Sequence, residues 1–309
     1  MFENNRVVAH TGTRYPIFQS PMGWIARSQL VAAVANAGAL GILETSSGDF
    51  EAIRQEIILL KRLTDRPWAV NLPIAFLKHD DSIIEDVLKS GVRMVTTSAG
   101  HPGVYAARLK DAGIAIYHAV PDLDGALRAE DAGVDGIVLE GGESAGFRSP
   151  REVHSFALIP AVRRRITLPI VAAGGIADGV GMAAAFALGA EGVQLGTRFV
   201  ASAESQVHPG YKRAITEAGL FSTTVTYRGK GPCVRALRSA MTEALEAGEG
   251  DFSMAIRNSR YAYFDGDLDA TLACAGESAA LIDSVETCEK IVSSMIDEFI
   301  QTIERLGKA

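Results

Sequence analysis

The sequence predicts a single α/β fold, a TIM or (β/α)8 barrel with a C-terminal helical extension, and three observations carry that reading. A joint in which a helical stretch ends in Gly and runs into a short apolar strand recurs five times. Proline announces three further short apolar runs, and helical patterns fill the gaps between strands. Strands alternating with helices read as parallel βαβ units, and eight of them close a barrel. An open doubly wound sheet uses the same elements and is the alternative.

Taken in order, the first strand is 17–19, announced by Tyr15-Pro16, and the second is 40–43, after the joint at Gly38. Pro67 announces the third, 68–72. The joints at Gly91, Gly113 and Gly133 deliver the fourth to sixth, 94–97, 115–118 and 136–139. Pro169 announces the seventh, 170–173, and the joint at Gly189 the eighth, 192–195. Gly supplies the left-handed conformation that ends a helix, and Pro is tolerated at a strand's first residue but not within a paired one. Helices are expected at 28–37, 50–63, 82–89, 104–111, 123–131, 152–165 and 180–188.

Past Leu195 the pattern changes. Residues 1–198 read as the barrel core and 199–309 as a helical extension over its mouth, with helices such as 234–247 and 285–306. Turn-rich joins stand at 227–232 and 265–269, and no second sheet is expected.

Composition excludes several functions. With 48% hydrophobic and 22% charged residues, the chain has material for a large core and is not disordered. A net charge of −7 gives no basic face for nucleic acid. The N-terminus lacks the basic-then-apolar pattern of a signal peptide, and no uncharged apolar run reaches the roughly 18 residues of a membrane span. Cys233, Cys274 and Cys288 are widely spaced and odd in number, which argues against disulfides, a zinc site or an iron–sulfur cluster. No metal is expected, and the expected location is cytoplasmic.

Barrel sites lie at the C-terminal ends of strands, with phosphate commonly bound after strands seven and eight. Strand seven runs into Ala173-Gly174-Gly175-Ile176-Ala177-Asp178-Gly179, and strand eight into Gly196-Thr197-Arg198. Glycine lets backbone N–H groups approach an anion, and the Thr197 hydroxyl can add a donor. The bland alternative is a pair of tight turns without ligand. Sugar-phosphate enzymes and inosine-monophosphate-dehydrogenase-like barrels also fit such loops. The latter need a nucleophilic cysteine in the strand-six loop, which here reads Glu140-Gly141-Gly142-Glu143-Ser144-Ala145-Gly146-Phe147.

These segments carry a resemblance. Together with Pro16-Ile17-Phe18-Gln19-Ser20-Pro21-Met22-Gly23, Val70-Asn71-Leu72, Val95-Thr96-Thr97-Ser98-Ala99-Gly100-His101-Pro102, Asp265-Gly266-Asp267 and Ala275-Gly276-Glu277-Ser278-Ala279-Ala280-Leu281-Ile282, they make nearly the whole chain similar to one family. It is the nitronate monooxygenase family, formerly 2-nitropropane dioxygenases, which includes flavin-dependent enoyl-acyl-carrier-protein reductases. The resemblance implies FMN across the barrel mouth, a small-molecule substrate, and NAD(P)H as electron donor in the reductase branch. It assigns Pro21, Met22, Gly23, Asn71, Ala145 and Gly146 to the flavin ring, and Ala173, Gly174, Gly175, Gly196 and Thr197 to its phosphate. An Asn amide, both donor and acceptor, suits the ring's pyrimidine edge, although a strand-end Asn can equally cap a turn.

The departures are informative. Relatives carry a proton-moving histidine where this chain has Phe147, a substrate-pocket position that cannot exchange a proton. Ala119 stands where some relatives have Lys, and Pro73 at another polar position, so the pocket is expected to be more apolar than usual. His118, ending strand five, is the candidate catalytic replacement if it faces the mouth. His154 ranks below it, and Tyr117 and Tyr227 are phenolic candidates without geometry. His101 and His208 read as structural, Arg163-Arg164-Arg165 as a solvated helix end, and Glu140 and Glu143 as acids that sequence cannot pair.

Two chemistries follow from the resemblance. Nitronate oxidation starts from an anion and needs no base, whereas enoyl-thioester reduction needs a proton and NAD(P)H. A flavin-binding protein without turnover is the alternative of another class. The sequence does not set the oligomeric state, and a homodimer stays open.

Overall fold

The computed structural model describes residues 1–78, 80–229 and 233–308. Eight parallel strands form one sheet: β1 (Ile17–Gln19), β2 (Gly41–Leu43), β3 (Trp68–Pro73), β4 (Met94–Ser98), β5 (Ala115–Val120), β6 (Gly136–Glu140), β8 (Ile170–Ala173) and β9 (Gly192–Leu195). Their order is β1-β9-β8-β6-β5-β4-β3-β2, and a parallel bridge between Phe18 and Leu40 joins the two ends. The sheet is therefore a closed barrel, and the eight expected strands are its staves.

Side chains alternate faces along a strand. One face supplies the barrel interior, where Phe18, Leu40, Ile42, Ala69, Met94, Tyr117, Val138 and Val171 pack, plugged from the N-terminal side by Val7 of helix Arg6–Thr11. That helix was not foreseen. The other face, including Val70, Val95, Ile116, Ile137 and Leu195, packs against the surrounding helices. Gly136 is demanded by this packing, because a Cβ there would lie 2.3 Å from Tyr117 Cε1.

Two expectations need correction. A second sheet exists: β7 (Gly146–Arg148), inside the strand-six loop, pairs antiparallel with β11 (Cys233–Leu237), which pairs with β10 (Thr223–Thr226). The expected helix 234–247 thus begins as strand, and only Ala240–Ala247 is helical, started by a Ser239 capping box. Val234-Arg235-Ala236-Leu237 has β-compatible residues, but they run on into the helical pattern of 240–247, and one of the strand's two partners, β7, lies far away in sequence. Part of the 227–232 join lies outside the described residues.

The second correction concerns the division at 198. Helix Cys288–Leu306 packs against helices Gly179–Ala187 and Ser28–Asn36, and Gly179 N–H donates to Glu298 Oε2 at 2.9 Å. It thus occupies the eighth place in the helical ring. Among the described residues no helix is long and apolar enough to cross a membrane.

Candidate active site at the barrel mouth

Strand alternation fixes which side chains reach the mouth. Continuing from the interior residues, Asn71 on β3, Thr96 and Ser98 on β4, Ala119 on β5, Glu140 on β6 and Ala173 on β8 face inward at the C-terminal ends. The layer is thus richer in polar groups than Pro73 and Ala119 suggested. Thr96 Oγ1 donates to Asn71 Oδ1 at 3.0 Å, fixing the amide so that its N–H pair is left for another acceptor. Thr45 Oγ1 donates to the Asn71 carbonyl at 2.8 Å and holds the strand end.

Alternation also removes the catalytic candidate. His118 lies between the inward residues Tyr117 and Ala119 and so faces the helices, with Nδ1 2.8 Å from Thr97 Oγ1. It is 6% exposed, and burial, assisted by His101, depresses its pKa to about 4. A neutral imidazole behind the barrel wall cannot exchange protons at the mouth. Tyr117 fails likewise: its hydroxyl is 2.9 Å from His10 Nδ1, a residue of the plugging N-terminal helix. Tyr227 is stacked on Phe252 with ring centroids 4.4 Å apart. His154 is half exposed, 3.9 Å from Glu277. His101 and His208 accept backbone N–H bonds from Gly103 and Gly210, consistent with structural turns.

Each glycine loop abuts a neighbouring loop. Gly174 has φ 101°, and a Cβ there would lie 2.6 Å from Ser144 Oγ and 3.2 Å from the Gly141 carbonyl, so strand-six and strand-seven loops touch. Ser144 Oγ is buried without a hydrogen-bond partner among the described residues. Sequence reasoning did not single out Ser144. A Cβ on Gly196 would meet only Ser20 at 3.6 Å and Met22 Sδ at 3.8 Å, which brings the strand-one and strand-eight loops together. Thr197 Oγ1 accepts the Gly276 N–H at 3.0 Å, retaining its own proton for donation. Gly23 abuts Ser46, and Gly146, with φ 71°, has open space where its Cβ would be. Ala145 lies against Gly276, whose Cβ would be 3.3 Å from the Ala145 nitrogen. Pro21 and Met22 are half-buried.

Strained backbone clusters here too. Among the described residues, the non-glycine residues with positive φ are Trp24, Ala99 and Tyr227. Ala99 follows β4 directly, and Trp24 lies in the loop after β1. Such conformations persist where surroundings over-determine them, commonly at ligand sites. Trp24 is flanked by the Arg27 and Arg260 guanidinium groups, 5.7 and 5.6 Å from its ring centroid.

The profile of the family described as nitronate monooxygenase matches residues 4–83 and 74–298. The chain belongs to the nitronate monooxygenase family. Similar proteins include a nitronate monooxygenase of Paraburkholderia phytofirmans, 31% identical over 96% of this chain and 95% of the relative. A (3aS,4S,5R,7aS)-5-hydroxy-7a-methyl-1-oxo-octahydro-1H-indene-4-carboxyl-CoA dehydrogenase of Mycobacterium tuberculosis is 29% identical over 95% of each. Among solved structures, FabK from Thermotoga maritima superposes with TM-score 0.90 at 37% identity, covering 98% of both chains. A nitroalkane oxidase from Streptomyces ansochromogenes gives 0.84 at 25%, over 97% of this chain and 99% of that one. Like these nitronate monooxygenase relatives, the chain is an oxidoreductase, and Phe147 is 53% exposed and paired with Val234 in the small sheet.

Proposed function

We propose that the chain is an FMN-dependent oxidoreductase acting on a small substrate whose reacting carbon is activated by an electron-withdrawing group, nitronate being the first candidate. The observation that carries the FMN reading is the unpartnered Ser144 hydroxyl beside Gly174, and Gly175, Gly196 and Thr197 would complete a cradle for the phosphate. A buried hydroxyl without a partner is costly, and an anionic phosphate oxygen would satisfy it. Asn71, with its amide donors unspent, suits the polar edge of the ring, and Pro21, Met22, Gly23, Ala145 and Gly146 offer close backbone approach. Bound flavin supplies one- or two-electron transfer, while the protein supplies orientation, exclusion of water and charge.

Nitronate suits Phe147, since an anion already lacking its proton asks nothing of that position. A second reading, redox of a carbon–carbon bond beside an acyl thioester with NAD(P)H as donor, is favoured by the 37% identity to FabK and by the carboxyl-CoA dehydrogenase relative. Anaerobic mixing of the FMN-loaded protein with a nitronate, NADH, NADPH and an acyl thioester separates them. Bleaching of the visible flavin band by nitronate supports the first, and bleaching by a nicotinamide with return on adding an enoyl thioester supports the second. A protein that takes up no FMN overturns both. One that binds FMN but responds to none of these is a flavin-binding protein without turnover.

A further inference from the structure

We infer that Glu140 holds the proton exchanged with the substrate carbon at the barrel mouth, and that Arg148 is its positioning residue; the inference rests on the proposed reading of the mouth as the redox site.

The carboxylates around the mouth are nearly all committed. Glu44 is fully buried, 2.8 Å from Arg27 Nη2, and accepts from the Ser46 hydroxyl and the Ser47 N–H. Glu143 accepts from the Ser155 N–H and hydroxyl. Arg228 and Arg235 hold Glu152, and Arg235 also holds Glu277 at 3.1 Å. Glu140 differs. It points inward from the end of β6, and among the described residues its carboxylate accepts no hydrogen bond. Its nearest cation, Arg148 Nη1, stands 3.9 Å away, and 32% of its side chain remains accessible.

Arg148 is the complement. Its side chain is 2% exposed, one nitrogen donates to the Gly141 carbonyl, and Nε and Nη1 have no hydrogen-bond partner among the described residues. A guanidinium so deeply buried is costly unless a negative charge stands near it, so ionised Glu140 and Arg148 stabilise each other. Burial pushes the Glu140 carboxyl up and Arg148 draws it back. The flanking strands add no charge: β8 sets Ala173 opposite Glu140, and β5 ends in Ala119 and Val120. Phe147 lies on the opposite face of β7 from Arg148, so the two neighbours divide the work between apolar surface and charge.

The step is a proton transfer. In one direction the bond between hydrogen and the carbon beside a nitro or thioester group breaks. The proton forms an O–H bond on Glu140, and the electron pair stays on carbon, delocalised into that group. In the other direction the Glu140 O–H breaks and its proton bonds to the carbanion-like carbon. Glu140 then re-equilibrates with water through its exposed part.

The test uses anaerobic FMN-loaded protein with nitroethane or butyryl-CoA deuterated beside the activating group, following loss of deuterium by NMR. Wild-type protein is expected to exchange, and Glu140→Gln to exchange about 100-fold more slowly at unchanged flavin content. Glu140→Asp should recover part of the rate. Separately, ¹³C-carboxyl NMR of flavin-free protein should show Glu140 titrating above the ordinary carboxylate range, and higher still in Arg148→Met. Three results overturn the inference: wild-type exchange in Glu140→Gln, loss of flavin from that variant, or a Glu140 titration indifferent to Arg148. Wild-type protein that takes up no FMN instead defeats the proposed function, which is a different observation.

Discussion

Thr97 Oγ1 lies 2.8 Å from His118 Nδ1 on the helix-facing side of the barrel wall, so the strand-five histidine is a structural partner rather than a mouth residue. His118→Gln is therefore expected to leave turnover within about twofold of wild type, whereas a general base contributes about 10²–10⁴-fold. Its effect belongs to stability. The folded pKa is depressed from 6.5 to about 4, so the unfolded chain binds the extra proton between those values. The stabilising preference for neutral His118 is complete above pH 6.5 and is lost as pH falls towards 4, by about 3 kcal/mol. Denaturant melts of wild type and His118→Gln between pH 4 and 7 should converge at the acid end. Parallel pH dependence would show that His118 is not the group responsible.

Gly196→Asp is expected to abolish FMN binding in a folded barrel. Gly196 has φ −103°, which any residue adopts, and its Cβ would meet only ordinary van der Waals neighbours. The carboxylate would then repel a phosphate. Gly174 is the poorer test, because positive φ and the clash with Ser144 would disturb the fold itself. Normal flavin absorbance in folded Gly196→Asp would mean that the phosphate lies elsewhere.

Phe147→His tests whether a base at this position can act on the substrate carbon. The side chain is half exposed, so the sheet should accept imidazole. In a Glu140→Gln background, turnover of neutral nitroethane relative to its nitronate is expected to rise, at the lower end of the roughly 10²–10⁴-fold worth of a positioned base. An unchanged ratio would leave Phe147 as a packing surface alone.

Gly136→Ala should destabilise the barrel by about 3 kcal/mol, the upper end of the usual roughly 1–3 kcal/mol for overpacking, because the new methyl meets the Tyr117 ring. In a Tyr117→Leu background the same change should cost less than half as much. Equal costs in thermal melts of both backgrounds would show that the ring does not set the penalty.

The barrel was legible because its punctuation is local. Gly38, Gly91, Gly113, Gly133 and Gly189 end helices, and Pro16, Pro67 and Pro169 start strands, whatever the tertiary context. Orientation was not legible. Parallel barrel strands are buried on both faces, so Tyr117-His118-Ala119 carries no alternation to say which residue points inward. The small sheet was hidden for another reason: β7 is three residues in a glycine-rich loop and finds its partner only after the chain has gone round to Cys233. Arg148 and Glu140, eight positions apart, meet for the same reason.

The position of helix Cys288–Leu306 bears on how the protein is made. During synthesis all eight strands emerge, and β9 can pair with β1, long before the stretch that completes the surrounding ring has left the ribosome. Until then the faces of helices Gly179–Ala187 and Ser28–Asn36 that receive Ile291, Met295 and Phe299 stay wet, and the nascent chain carries an open apolar seam. Chaperone dependence and aggregation on slow translation should therefore concentrate in this window, and clipping the final helix should harm yield more than cutting an exposed loop of equal length.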